Sequence, residues 1–257
     1  MDEERLAGGN THAEIVRVGD TVRRPTGPWT PGVHALLHHL EARGSSGVPR
    51  VLGVDEKGRE ILTYVPGEVV WPEYFALVQT DSALAEVAAT IRRFHDAVAG
   101  FEPPRDSTWA ENGSDPRGPA ELLCHNDLAP WNLVRGEDGA WTFIDWDLAA
   151  PGRRSWDLSW ALLSFVSLMA DSKLTEAETV RRIAIFRTAY GADLFPDDVL
   201  EVAVERCEHE AGRIGRLGAL GEAPYARLLA EGHREVWRST AEHIRAHLPR
   251  WRGALTG

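Results

Sequence analysis

The stretch that decides the fold of this chain is Cys124-His125-Asn126-Asp127-Leu128-Ala129-Pro130-Trp131-Asn132, followed by Phe143-Ile144-Asp145-Trp146-Asp147. Asp127 lies two residues after a histidine, and Asn132 lies five residues after Asp127. A second aspartate, Asp145, comes directly after a short apolar segment. Carboxylate and amide oxygens are hard ligands of the kind that magnesium prefers. The stretch therefore predicts a loop and a turn that bring oxygen-bearing side chains together.

A β-hairpin is expected between Asn132 and Asp145. Leu133-Val134 is the first short strand, and Ala140–Ile144 is the return strand. The turn between them, Arg135–Gly139, contains the Asp-Gly pair that is a strong hairpin signal. A hairpin is the shortest route by which two ligands 13 residues apart (145 minus 132) reach one point.

The order of these residues resembles the catalytic loop and metal-binding turn of protein-kinase-like phosphotransferases. The form His-Asn-Asp-Leu-Ala-Pro-Trp-Asn followed by Ile-Asp-Trp-Asp is similar to the aminoglycoside phosphotransferase family of small-molecule kinases. Protein kinases usually carry Arg before the catalytic Asp and Phe-Gly after the metal Asp. The resemblance is strongest over residues 120–165 and extends over 5–165.

This resemblance implies a role for each polar residue of the stretch. Asp127 would accept or orient the proton of the acceptor hydroxyl. Asn132 and Asp145 would hold Mg²⁺ on the phosphates of ATP or another nucleoside triphosphate. His125 would be a hydrogen-bonded scaffold residue rather than a proton-transfer group. Asp157 would tie the helix that follows to the backbone of the catalytic loop.

The chain departs from the family's pattern at the nucleotide site. Strand alternation places Arg24 at the position of the phosphate-binding Lys and turns Arg23 to solvent; an Arg fork can bind phosphate but is not equivalent to Lys. The helix over 33–41 lacks the mid-helix Glu that normally pairs with that Lys. The candidate phosphate loop has only two glycines, Gly8 and Gly9. These departures leave nucleotide affinity and nucleotide choice open.

The end of a strand before Pro66-Gly67 is the expected hinge of the nucleotide site. In the family, backbone groups at this position contact the adenine edge, which implies Thr63, Tyr64 and Val65 here. The alternative interpretation is an ordinary strand end, because Pro-Gly stops a strand in any context.

The pattern as a whole predicts an α+β, bilobal, protein-kinase-like fold. An N-terminal nucleotide-binding lobe over 1–66 would hold a small antiparallel sheet and one helix, and a mainly helical lobe over 67–257 would hold the catalytic loop and acceptor site. The predicted strands are 13–18, 21–24, 51–54 and 60–65, and the predicted helices are 30–44, 82–99, 156–163, 174–190, 197–216 and 222–248. Thr30 and Ser155 are the expected helix caps. The histidines of the first helix, His34, His38 and His39, lack a Cys or carboxylate at ligand spacing, so packing or exposure is expected there.

Composition excludes several classes of partner. The net charge of −11 argues against nucleic acid, which needs a basic face. No apolar run approaches the roughly 18 residues of a membrane span. The start, Met1–Arg5, has neither the basic end nor the apolar core of a signal peptide, and the two cysteines form no disulfide framework. We therefore expect a cytoplasmic enzyme.

The acceptor would be a small molecule with a hydroxyl group. Glu205, Glu208 and His209 share a predicted helix face, and such an acidic wall would suit a cationic antibiotic; a solvated acidic face is the alternative. Asp147, two residues after the metal aspartate, would aid magnesium, contact a cationic acceptor or cap local backbone.

The sequence thus predicts an ATP-dependent O-phosphotransferase, with a cationic antibiotic as the favoured acceptor. A metabolic kinase of choline or homoserine type is an alternative within the same chemistry. A non-catalytic immunity or binding protein on a decayed kinase fold is the contrasting alternative, favoured by the missing Lys, Glu and glycine loop. Intact Asp127, Asn132 and Asp145 favour catalysis, because metal ligands serve no purpose without a nucleotide.

Overall fold

The computed structural model describes residues 3–6, 15–110, 114–117 and 119–256, which belong to two compact units. The first, here called the sheet unit, contains Met1–Ala76 and Thr90–Arg153. The second, the helical unit, contains Leu77–Ala89 and Arg154–Gly257.

A five-stranded antiparallel sheet with the order β1-β2-β3-β5-β4 is the main layer of the sheet unit. Its strands are β1 (Glu4–Arg5), β2 (Val16–Val18), β3 (Thr21–Pro25), β4 (Val51–Val54) and β5 (Arg59–Thr63). The strands predicted near 13–18 and 21–24 form a hairpin through Gly19-Asp20, because β2 pairs with β3 and Gly19 has the positive φ of 60° that tight turns favour. The register sets Arg24 of β3 directly opposite Glu60 of β5.

One helix, α1 (Thr30–Ala42), packs within the sheet unit through an apolar face repeated at helical spacing. The buried apolar residues of this face are Val33, Leu36, Leu37 and Leu40. The prediction that Thr30 caps the helix is wrong, because Trp29 is the N-cap residue and the Thr30 hydroxyl accepts a hydrogen bond from Gly27 N at 2.9 Å. The helix ends at Ala42, two residues before the predicted bound, and Gly44 follows it with φ of 74°.

Two small sheets complete the sheet unit and carry the stretch that opened the sequence analysis. The three-stranded sheet contains β6 (Glu68–Val69), β8 (Leu133–Arg135) and β9 (Trp141–Phe143), and β7 (Leu122–Cys124) pairs with β10 (Ala150–Gly152). A short 3₁₀ turn, Pro130–Asn132, leads into β8. The predicted hairpin is confirmed, because Leu133 pairs with Phe143 in antiparallel register.

The second part of the chain is almost entirely helical. The helices after α2 (Asp81–Ala97) are α3 (Arg154–Ala161), α4 (Glu176–Tyr190), α5 (Val199–Ala219), α6 (Tyr225–Ala230), α7 (His233–Trp251) and α8 (Gly253–Thr256). A π-helical segment, Leu162–Val166, extends α3, and α5 packs against α3, α6 and α7. Across the described ranges, no helix is both long enough and apolar enough to span a membrane.

Two helix predictions in this part need correction. Ser155 is not a cap, because α3 begins at Arg154 and Ser155 is buried inside its first turn. The single helix predicted over 222–248 is two helices, since Gly232 adopts φ of 83° between α6 and α7. The helix predicted to start near 174 is α4. A capping box sets its first residue, because the side chains of Thr175 and Glu178 each accept a hydrogen bond from the other's backbone amide.

Candidate active site

Asp127 lies in the loop between β7 and the 3₁₀ turn, and two neighbours hold its carboxylate. Its Oδ2 accepts a hydrogen bond from Asn132 Nδ2 at 2.7 Å and another from Trp131 Nε1 at 3.1 Å. Asn132 is buried, whereas Trp131 is 41% exposed although its indole reaches back to Asp127. Sequence reasoning missed Trp131; its position four residues after Asp127 was the available signal.

His125 is fully buried and ties the loop that holds Asp127 to the turn that holds Asp145. Its Nδ1 lies 3.2 Å from Asp127 N, and its Nε2 lies 3.2 Å from the Ile144 carbonyl oxygen. Because an amide N–H can only donate, Nδ1 is the acceptor, and a neutral ring then donates to Ile144 through Nε2. The ring also packs against Trp146, with centroids 4.5 Å apart.

Two residues of the site have left-handed backbone conformations. Asn126 has φ of 67° and Asp145 has φ of 63°, values that Asn and Asp tolerate better than most residues. Asn126 is held there by its Nδ2, which donates to the Leu148 carbonyl at 2.9 Å. Left-handed residues that are not glycine recur at functional sites, where their surroundings enforce them.

The hairpin brings Asp145 to the catalytic loop. Ile144 N donates to the Asn132 carbonyl at 2.9 Å, directly beyond the Leu133–Phe143 pair. The side chain of Asp145 is 39% exposed, so it is accessible to a cation from solvent. Three residues predicted from the sequence, Asp127, Asn132 and Asp145, therefore lie within one connected loop and turn.

Arg24 is the centre of the charged part of the site. It is only 6% exposed, and its three nitrogens reach three carboxylates. Nε donates to Glu60, NH1 donates to Asp145 Oδ1 at 2.8 Å, and NH2 donates to Asp147. Burial alone would lower the pKa of Arg24, but attraction to Asp145, Asp147 and Glu60 outweighs burial and raises that pKa above its ordinary value. Arg24 is thus a permanent cation, and its contact with nucleotide phosphate stays a prediction.

Asp147 contacts Arg24, a partner that sequence reasoning did not consider for it. Burial raises the pKa of the Asp147 carboxyl to about 6, against the opposing attraction of Arg24 and with help from the nearby charge of Asp145. Its side chain is also a hydrogen-bond partner of Trp29. The expected contribution of Asp147 to magnesium or acceptor binding stays a prediction.

Glu60 supplies Arg24 with a carboxylate from the neighbouring strand. It is 2% exposed, and its Oε2 lies 2.8 Å from His34 Nε2 of α1. Burial would raise the pKa of Glu60, but hydrogen bonds from His34 and Arg24 hold it below its ordinary value. Sequence reasoning missed both residues, because the Arg24–Glu60 pairing appears only once the strand register is known.

The hinge segment is partly occupied by hydrogen bonds within the sheet unit. The strand ends at Thr63, two residues earlier than predicted, and Thr63 N donates to the Arg50 carbonyl at 2.9 Å. Tyr64 N donates to the Asp20 carbonyl, also at 2.9 Å. The contact of Thr63, Tyr64 and Val65 with a nucleotide base stays a prediction. The predicted phosphate-loop residues, Gly8 and Gly9, lie outside the described residues.

The remaining predicted site residues belong to the helical unit. Asp157 is fully buried in α3, and Glu205 is half-buried in α5. The Glu208 carboxylate forms an ion pair with Arg245, and the His209 ring packs on Trp156 with centroids 5.6 Å apart.

A groove of about 300 Å³ lies beside Glu208, between α5 and α7. Small residues form part of its lining, and its charged residues are two glutamates and three arginines. Its lining residues are Glu208, Ala211, Gly212, Arg234, Arg238, Ala241, Glu242 and Arg245. Glu208, one of the two carboxylates predicted as an acidic wall, therefore has arginines of α7 beside it.

The side-chain oxygens of the loop and turn fit a magnesium ion whose other ligands include phosphate oxygens. Within the described ranges, no group of three His, Cys, Asp or Glu residues could hold a metal ion by itself. Magnesium in phosphotransfer sites needs only one or two carboxylates in addition to phosphate oxygens. Asp145 offers an accessible carboxylate. Asn132 uses its Nδ2 on Asp127, so its Oδ1 is the atom suited to a cation.

Comparisons with solved structures confirm the kinase-like α+β fold. A choline/ethanolamine kinase family protein from Mesorhizobium loti is similar with a TM-score of 0.65 and 18% identity, covering 99% of this chain and 92% of that one. Amicoumacin kinase hAmiN, solved with AMP-PNP, Ca²⁺ and Ami, has a TM-score of 0.65 at 14% identity, and the match covers 95% of this chain and 88% of that one. The aminoglycoside phosphotransferase APH(2")-IIia, solved with GDP and kanamycin, has a TM-score of 0.62 at 16% identity, with 94% and 93% covered.

Sequence comparison identifies the family. The trifolitoxin immunity protein of Rhizobium leguminosarum bv. trifolii is 35% identical over 164 residues, which are 63% of this chain and 61% of that protein. The match thus spans less than two thirds of that relative. The model of the phosphotransferase enzyme family matches residues 8–117 and 102–197, which together include the whole loop, hairpin and metal turn. The chain therefore belongs to the phosphotransferase enzyme family, as its catalytic-loop motif predicts.

Proposed function

We propose that this protein transfers the γ-phosphoryl group of ATP, or of another nucleoside triphosphate, to a hydroxyl of a small molecule. The observation that carries the proposal is the convergence of Asp127, Asn132 and Asp145, with Arg24 bonded to Asp145. These residues supply an acceptor for a proton, oxygen ligands for a divalent cation and a fixed positive charge. Phosphoryl transfer requires little else from a protein, because it depends mainly on positioning and charge neutralisation.

Asp127 acts on the acceptor. The acceptor oxygen forms a bond to the γ-phosphorus while the bond from that phosphorus to the β,γ-bridging oxygen breaks, and the nucleoside diphosphate leaves. The proton of the hydroxyl passes to Asp127. The hydrogen bonds from Asn132 and Trp131 to Oδ2 orient the carboxylate for this role.

Arg24 and the metal ligands act on the nucleotide. When bound, magnesium would neutralise charge on the phosphates; Asp145 and Asn132 would hold it. Arg24 NH1 and NH2 lie against Asp145 and Asp147, so phosphate oxygens that approach Asp145 also approach the guanidinium. A guanidinium suits phosphate because it presents several N–H donors in one plane.

The chemical class of the acceptor is the most specific feature that we propose. One solved neighbour is an amicoumacin kinase and another is a complex with kanamycin, and the net charge of −11 suits a cation. The arginines beside Glu208 weaken the case for a purely polycationic acceptor. We therefore propose an antibiotic-like acceptor that carries hydroxyl groups and at least one amine.

Product mass tests the proposal directly. The protein is incubated with magnesium, ATP or GTP, and a panel of aminoglycosides, basic peptides, macrolides, nucleosides, choline and homoserine. A gain of one phosphate on any hydroxyl compound, lost in Asp127→Asn, supports phosphotransfer. A gain on a nucleoside or amino acid with none on any amine-bearing antibiotic would contradict the proposed acceptor class.

A non-catalytic immunity protein is the second candidate function. It is favoured by the 35% identity with the trifolitoxin immunity protein and by the engagement of Arg24 with three carboxylates. A thermal-shift assay separates the two candidates, because a ligand that binds only the folded state raises its stability by mass action. A rise in melting temperature with magnesium and ATP together favours the phosphotransferase; no rise at millimolar nucleotide favours the immunity protein.

A further inference from the structure

A buried chain of contacts joins α1 to Arg24. The first link is the cross-strand pair of β3 and β5, in which Arg24 Nε donates to Glu60 Oε1. Both side chains are buried, so the contact is shielded from solvent. A bond at Nε fixes the plane of the guanidinium, and NH1 and NH2 are then directed at Asp145 and Asp147.

The second link runs from Glu60 to the helix. His34 Nε2 of α1 lies 2.8 Å from Glu60 Oε2, the oxygen opposite to the one that Arg24 contacts. A carboxylate oxygen can only accept, so Nε2 carries the hydrogen. The helix sequence has no carboxylate between Thr30 and Leu40, and His34 is the residue of this stretch that contacts Glu60.

We infer that Glu60 and His34 are positioning residues of the nucleotide site, with Glu60 orienting Arg24 and His34 orienting Glu60. The inference rests on the proposed function, since it assigns Arg24 to nucleotide phosphates. Glu60 holds Nε, and Asp145 and Asp147 contact the other two nitrogens. Without Glu60, the guanidinium loses the contact that sets the plane in which NH1 and NH2 face Asp145 and Asp147.

The expected effect is on nucleotide affinity rather than on the chemical step. Neither Glu60 nor His34 contacts Asp127, so turnover at saturating magnesium and ATP should change little. Glu60→Gln should raise the KM for magnesium-ATP by about tenfold or more, since the neutral amide loses the charge that attracts Arg24 and offers one acceptor oxygen where the carboxylate offers two. His34→Leu should raise it by a smaller factor of about three to ten, because Glu60 stays but loses one of its donors.

Matched variants distinguish positioning from general damage to the helix. His34→Gln keeps an N–H donor at similar reach and should restore KM nearly to the wild-type value. His38→Leu is the control: His38 lies one turn further along α1, its side chain is 57% exposed, and its Nδ1 is 3.9 Å from Glu41. It should leave KM and turnover unchanged.

A double-mutant cycle tests the order of the two links. If His34 acts through Glu60, then His34→Leu combined with Glu60→Gln should raise KM no further than Glu60→Gln alone. The same variants are measured by calorimetric titration with magnesium-ATP, a readout that needs no turnover. Independent, multiplicative effects, or a KM unchanged in His34→Leu, would overturn the inference.

Failure of this inference and failure of the proposed function give different results. If the wild-type protein binds magnesium-ATP but phosphorylates nothing, and His34→Leu still weakens binding, the positioning inference stands and phosphotransfer fails. If turnover is intact and His34→Leu binds like wild type, phosphotransfer stands and the positioning inference fails. A wild-type protein that binds no magnesium-ATP contradicts both.

Discussion

Asn132 donates a hydrogen bond through Nδ2 to Oδ2 of Asp127 at 2.7 Å, so a proposed metal ligand also orients the proposed base. The two roles use opposite ends of one amide. Removal of Asn132 should therefore affect nucleotide binding and the chemical step together, whereas removal of Asp145 should affect mainly the metal.

The first prediction concerns magnesium. Asp145→Ala should abolish the magnesium-dependent part of ATP binding, and Asn132→Ala should weaken it less, because a neutral amide contributes less than a carboxylate. Calorimetric titration with and without magnesium measures both. Unchanged magnesium-ATP affinity in Asp145→Ala would remove Asp145 from the metal site.

The second prediction separates the base from the binding site. Asp127→Asn should lower turnover by about 10²–10⁴, the range typical of a positioned general base, while nucleotide affinity stays near that of the wild type. The control is Asp193→Asn, at an exposed residue of the helical unit. Wild-type turnover in Asp127→Asn would require another base.

The third prediction concerns the indole that contacts Asp127. Trp131→Phe keeps an aromatic ring but removes the Nε1 donor, so turnover should fall by about two- to tenfold with little change in the KM for ATP. Trp71→Phe, at another exposed tryptophan, is the matched control. Equal turnover in the two variants would show that the indole hydrogen bond has no part in orienting the base.

The fourth prediction compares the two adjacent arginines of β3. Arg24→Ala should sharply weaken ATP binding and lower the free energy of unfolding by about 3–5 kcal/mol, since it leaves buried carboxylates without their cation. Arg23, whose NH1 bonds to Thr21 Oγ1 and whose Nε is 3.8 Å from Asp55, should tolerate Ala with little change in nucleotide binding. Urea denaturation and calorimetry test both claims, and the reverse pattern would exclude Arg24 as the phosphate ligand.

The fifth prediction is a pH dependence that Asp147 confers. Its pKa is about 6 in the folded protein and near 3.8 when unfolded, so the folded state holds the proton more tightly between these values. The contribution of Asp147 to stability is therefore fully present below about pH 4 and falls as the pH rises to 6. The loss is up to about 3 kcal/mol, because one pH unit corresponds to about 1.36 kcal/mol.

Asp147→Asn isolates this contribution, because the amide cannot titrate. The difference in unfolding free energy between wild type and Asp147→Asn should change between pH 4 and pH 6 and stay constant from pH 6.5 to 8. Urea denaturation at half-unit pH steps measures it. A difference that is flat over the whole range would contradict the raised pKa.

The motif residues were predictable because their relationship is local. The loop from His125 to Asn132 and the hairpin to Asp145 depend on short spacings and on an Asp-Gly turn, both of which are visible in the chain. Glu60 and His34 were not predictable in this way. The contact of Glu60 with Arg24 depends on the pairing of β3 with β5, which joins residues 36 positions apart. The contact of His34 with Glu60 depends on the packing of α1 and joins residues 26 positions apart.

The first and last residues of helices were also hard to predict from the sequence. A hydroxyl before an apolar run indicates a cap, yet Thr30 and Ser155 both lie inside their helices. The break at Gly232 was missed because the residues on either side continue a helical pattern, and only the positive φ of that glycine separates α6 from α7. Local propensity locates helices well, but tertiary packing decides their first and last residues.

The joint engagement of Arg24 with Glu60, Asp145 and Asp147 constrains how this site evolves. A lysine has one nitrogen and could not replace a guanidinium whose three nitrogens each contact a different carboxylate. A change of Arg24 to lysine would therefore persist only alongside a change at Glu60, since Asp145 and Asp147 belong to the motif that resembles the family. Homologues with lysine at this strand position should accordingly lack the acid at position 60, so that residues 24 and 60 change together.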